Sequence, residues 1–125
     1  MRKYSILTVI SISILLSSCV QKTYERPVRF VLDVSQVDNI KTVGVRGSNS
    51  PLNWENDLEM KPIFADSIYA IDVTFVTGYL GAEIKFVING QFELQQKANR
   101  RFAFDTTRDT TVYNAVFDQL ITIEQ

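Results

Sequence analysis

From Pro27 onward, β-branched and aromatic residues gather in short runs of period two, separated by Gly, Pro, Asn, Asp and Ser. No stretch carries the 3.6-residue period of a useful helix. In I-Y-A-I-D-V-T-F-V, residues Tyr69, Ile71, Val73 and Phe75 share one face while Asp72 and Thr74 take the other, which predicts a half-buried antiparallel strand. P-V-R-F-V-L-D-V, I-K-T-V-G-V-R-G, R-F-A-F and T-V-Y-N-A-V-F-D predict further strands, and S-N-S-P-L-N-W-E-N-D a long polar loop.

The strongest local signal is Asn89-Gly90 between two apolar stretches, which favours a two-residue type I′ hairpin. Such a turn pairs Ile88 with Gln91, Val87 with Phe92, Phe86 with Glu93 and Lys85 with Leu94. Ile84, Phe86 and Ile88 then face the core, and Lys85, Val87 and Phe92 share the opposite face. The same register sends Glu93 inward, which is costly for a lone carboxylate, so the second strand is expected to bend or end there. Seven or eight short strands in this length predict an all-β fold, an immunoglobulin-like antiparallel β-sandwich.

The first eighteen residues follow a different pattern. Arg2 and Lys3 precede an uncharged run from Ser5 to Leu16 that ends in L-S-S-C, a secretory signal too short for a comfortable membrane span. Ser17-Ser18-Cys19 resembles the lipobox of bacterial lipoproteins. That resemblance implies lipidation of Cys19, a lipid-anchored place in the bacterial cell envelope and, with Val20 next in the chain, the outer rather than the inner membrane. The expected organisation is a signal peptide over 1–18, a lipidated cysteine and tether over 19–26, a sandwich domain over 27–118 and a tail over 119–125. The tail alternates apolar with polar residues, as either an added edge strand or a docking segment for an envelope protein partner would.

Composition narrows the chemistry. With 13 Lys+Arg against 14 Asp+Glu, the net charge of −1 gives no basic footprint for nucleic acid. The chain has no histidine, so no His-dependent triad or imidazole metal site can be built, and its one cysteine makes neither an internal disulfide nor a Cys-based zinc site. Neither metal nor cofactor is expected. Asp57, Glu59, Glu83 and Glu93 are available to glycosidase chemistry, but nothing in the sequence sets two of them across a cleft. They read as surface charges, and the chain as non-catalytic.

V-G-V-R-G-S-N-S-P-L-N-W, the Asp66–Phe75 run, E-I-K-F-V-I-N-G-Q-F-E and N-R-R-F together resemble the starch- and glycogen-binding modules of carbohydrate-binding module families 20 and 48. The glycogen-binding domain of the AMP-activated protein kinase β subunit belongs to that group. The resemblance covers about Val28 to Asp118 and implies an α-glucan partner. It carries over to Trp54, to Lys85 and to Phe92, which stands where the family usually has a second tryptophan, with Asn114 near a binding asparagine of the last strand. Asn99-Arg100 matches a pair expected to be mainly structural.

A pyranose offers a face of C–H groups and a rim of hydroxyls, so it suits a flat ring with polar groups at its edge. Trp54 and Phe92 would supply rings, and Lys85, Glu93 and Asn114 the edge groups. Tyr79, in the V-T-G-Y-L-G loop, reads as a packing residue. The competing expectation is a sandwich without sugar binding that serves as a structural or protein-interaction lipoprotein.

Overall fold

The computed structural model describes residues 21–120; the signal sequence, Cys19 and residues 121–125 lie outside the described residues. Nine strands form an all-β sandwich: β1 (Tyr24–Asp33), β2 (Val43–Gly47), β3 (Leu58–Glu59), β4 (Lys61–Phe64), β5 (Ile68–Thr77), β6 (Gly81–Ile88), β7 (Gln91–Phe92), β8 (Arg100–Ala103) and β9 (Thr111–Val116). One sheet has the order β4-β5-β1-β9. The other has the order β3-β2-β6-β7, with β8 also pairing with β6.

The alternation along β5 holds. Val73 and Phe75 are buried, while Asp72, Thr74 and Val76 face solvent. Phe30 of β1 meets Phe75 at 6.3 Å and Phe86, across the sandwich, at 6.2 Å between ring centres, both edge to face. Phe102 adds a third such contact to Phe30 at 5.6 Å. These T-shaped contacts join the two inner faces into one core, each worth about 0.5–1.5 kcal/mol beyond the area it buries.

Two features differ from the sequence reading. β1 begins at Tyr24, paired with Thr77, so Tyr24 to Arg26 belong to the sheet and not to a tether. Pro27 is tolerated inside the strand because the partner on its other side, β9, begins only opposite Val28. Second, β1 and β9 run parallel, which makes that sheet mixed. Periodicity reports which face a residue takes and is silent on strand direction.

The hairpin forms in the expected register, with Val87 opposite Phe92 and Ile88 opposite Gln91. Both turn residues have positive φ, 51° at Asn89 and 78° at Gly90, as a type I′ turn requires. Asn89 Oδ1 accepts from the amides of Lys41 (2.7 Å) and Thr42 (3.1 Å), which ties the turn to the segment entering β2. β7 stops at Phe92, immediately before the inward-facing Glu93.

Candidate functional site

The outward face of the second sheet carries the site. Across it, Gly44 pairs with Val87 and Val87 with Phe92, while Arg46 pairs with Lys85 in the neighbouring row. Paired residues share a face, so these side chains all project to one side. Gly44 permits the loop before β3 to lie flat on that face: a Cβ there would sit 2.8 Å from Asp57 Cβ.

That loop presents Trp54. Leu52 is buried in the core and anchors it. The Asn53 carboxamide oxygen then accepts from the amides of Glu55 (2.9 Å) and Asn56 (2.7 Å), a side-chain-closed turn with Trp54 at its tip. Trp54 remains 37% exposed. Trp54, with Lys85 and Phe92 of the distant hairpin, lines a pocket of about 310 Å³ completed by Gln95, Gln96 and Asn99.

Arg46 ties the backbone of the Trp54 loop to the Phe92 ring. Its Nε donates to Asp57 Oδ1 (2.6 Å), its Nη1 to the Trp54 carbonyl (3.1 Å), and its guanidinium carbon lies 4.9 Å from the centre of the Phe92 ring. The guanidinium covers one face of Phe92. No local pattern marks Arg46: it stands opposite Lys85 through the pairing of β2 with β6, which the hairpin turn does not set.

Lys85 has a specific task as well. Its Nζ donates to the carbonyls of Leu94 and Lys97, each at 3.1 Å. An ammonium has three N–H donors, so one is left for a ligand. The clamped segment is strained: Leu94 and Gln96 have φ of 49° and 63°, a left-handed conformation costing about 1–2 kcal/mol for a residue with a Cβ. Asp118 Oδ1 holds the same segment by accepting from the Leu94 amide at 2.7 Å.

Glu93 is corrected from an edge group to a fold anchor. Its side chain is 0% exposed and forms an ion pair with Arg100, itself 3% exposed, both lying inside the sandwich. Arg100 Nη2 donates to Glu93 Oε2 (3.2 Å) and to the carbonyls of Val116 and Gln119, both at 2.8 Å. Burial acts to lower the Arg100 pKa, and the hydrogen bond and charge of Glu93, with Tyr113 adding to them, outweigh it, so the guanidinium is held above its ordinary value. The inward carboxylate foreseen from the register is accommodated by a partner seven residues later in the chain. The expected structural role of Arg100 is the one it has, whereas Asn99 lines the pocket and donates to Glu83 Oε2 at 3.2 Å.

Asn114 is also corrected. It lies on β9, opposite Val31 on the outer face of the other sheet, beside a separate groove of about 220 Å³. Because β9 pairs with β1 and not with β6, its side chains do not join the Trp54 face. Tyr79 is exposed, not packed, and borders a third cavity of about 530 Å³ with Ser48, Asn49 and Arg101. Gln95 and Gln96 were missed, since a polar pair after a hairpin carries no sequence signal.

Fold and site together define an all-β sandwich with an open, aromatic-lined pocket on the outward face of one sheet. No family model matches the sequence, and no curated protein matches it. Among solved structures, the chain is similar to part of a glycoside hydrolase family 15 glucoamylase from Hypocrea jecorina, with a TM-score of 0.61 and 17% identity. The similarity covers 78% of this chain and 18% of that one. At this identity it is a similarity of fold.

Proposed function

We propose that the protein is a non-catalytic α-glucan-binding module, anchored in the cell envelope through a lipid on Cys19. The observation that carries the reading is the convergence of Trp54, Lys85 and Phe92 on one open pocket. Two rings offer stacking faces and the free N–H of Lys85, with Gln95, Gln96 and Asn99, offers hydrogen bonds to hydroxyls. The fold similarity to part of a glucoamylase supports a carbohydrate partner over other small ligands.

The non-catalytic reading rests on the carboxylates. Asp57 is paired with Arg46, Glu59 with Lys61, Glu83 with Arg101 and Glu93 with Arg100. None of the four lines the pocket. The anchor rests on the Ser17-Ser18-Cys19 sequence and is tested by the mass of the mature N-terminal peptide, which an unmodified cysteine would refute.

Isothermal titration of residues 20–125 with maltoheptaose and β-cyclodextrin tests the binding, beside Trp54→Ala and a non-glucan control. Millimolar to micromolar affinity, about 4–8 kcal/mol of standard free energy, that disappears in the variant is the expected result. Silence with every glucan would move the protein to the protein-interaction reading. That second reading has its own support in Ile63 and Phe64, which stand exposed on the edge strand β4.

A further inference from the structure

We propose that the Trp54–Phe92 pocket is one end of a longer trough, which continues into the cavity beside the hairpin and seats a single extended glucan chain. This rests on the glucan-binding reading above and specifies the length and path of the ligand. The neighbouring cavity has a volume of about 500 Å³. Phe92 and Gln95 line both cavities, which flank the edge strand β7: Phe92 shares the outward face with Lys85, Gln91 shares the other side with Ile88, and the path between them turns around the sheet edge past Gln95.

The lining of the second cavity has the dual character a pyranose needs. Val37 and Phe117 supply apolar surface, and Gln91 and Lys97 supply donors and acceptors beside Gln95. The side chains of Gln91, Gln95 and Lys97 make no hydrogen bond among the described residues, so their polar atoms are free for hydroxyl groups.

The junction is built, not loose. Gln95 stands between the two left-handed residues Leu94 and Gln96. The Lys85 ammonium fixes the carbonyls of Leu94 and Lys97, and Asp118 fixes the Leu94 amide. Backbone held in a sparsely populated conformation by three such bonds is the kind of strain that marks ligand clamps. The chain path follows: sugar units stacked near Trp54 and Phe92, with the glucan continuing past Gln95 toward Gln91 and Lys97.

The test compares maltotriose with maltoheptaose on the wild-type domain, on Gln91→Ala/Lys97→Ala and on Trp54→Ala. Both trough residues are exposed, and matching urea midpoints will confirm that the double variant is folded. The expected result is maltoheptaose binding at least about tenfold tighter than maltotriose, with the double variant weakening maltoheptaose about tenfold and leaving maltotriose within twofold. Unchanged maltoheptaose affinity in the double variant, with both sugars still lost in Trp54→Ala, overturns the trough and leaves the glucan reading intact. Failure of wild type to bind either sugar overturns both.

Discussion

Replacing Glu93 by Gln preserves side-chain volume and one acceptor but removes the charge facing Arg100. The guanidinium keeps its bonds to the carbonyls of Val116 and Gln119, yet sits 3% exposed with no counter-ion. Removing one partner of a buried pair costs about 3–5 kcal/mol, because the surviving charge has lost both water and its partner. That is a large share of the roughly 5–15 kcal/mol that holds a domain together. With a urea slope of about 1–3 kcal/mol/M, the unfolding midpoint should fall by at least about 1 M.

Trp54, the only tryptophan, reports the transition. Arg101→Ala is the internal control: it breaks the exposed Arg101–Glu83 pair between β8 and β6, where a loss of about 0.2–1 kcal/mol is expected. A second variant, Glu93→Met with Arg100→Met, exchanges the pair for apolar volume and should recover much of the loss. Should Glu93→Gln lose no more stability than Arg101→Ala, the anchor role is wrong and Glu93 returns to consideration as a sugar-edge group.

Arg46→Met removes the tie between the Trp54 loop and Phe92 while keeping aliphatic bulk; stability should fall by about 1–2 kcal/mol, from one hydrogen bond and a half-buried ion pair, and glucan affinity by about tenfold, read by titration. Gly44→Ala should cost about 1–3 kcal/mol in urea unfolding by forcing Asp57 away, with a shift in Trp54 emission. Side-chain hydrogen bonds from Arg29, Ser35 and Thr107 hold Asp72, Asp33 and Asp105, respectively, below the usual carboxylate range. Their contribution is therefore present above about pH 3.9 and is lost as pH falls through their lower folded-state values. Denaturant midpoints should be flat from pH 7 to 5, in a chain without histidine, and fall below pH 4; a drop between pH 7 and 5 would contradict this.

The sandwich was legible because its strands are amphipathic at period two and its hairpin has a turn that Asn-Gly satisfies well. Register followed from that turn, and register put Lys85 and Phe92 on one face. Trp54 joins them through a loop whose path depends on Leu52 plugging the core and on Gly44 leaving room, contacts that no local pattern records. Glu93 was read correctly as inward and wrongly as a ligand, because Arg100 reaches it only when β8 pairs with β6. Asn114 was misplaced because strand order, not strand pattern, decides which sheet owns β9.

The parallel pairing of β1 and β9 also governs how the domain bears force. The chain enters the sheet at Tyr24, at one end of β1, and leaves β9 near Asp33, at the other end. Tension between the two ends of the domain therefore pulls these neighbours past each other along their length, so their ladder bonds are loaded together and not opened one after another. β1 is also bonded along its other edge to β5, over its whole length. Resistance to a pull applied through the two ends of the domain is therefore set by the rate of forced unfolding and not by equilibrium stability.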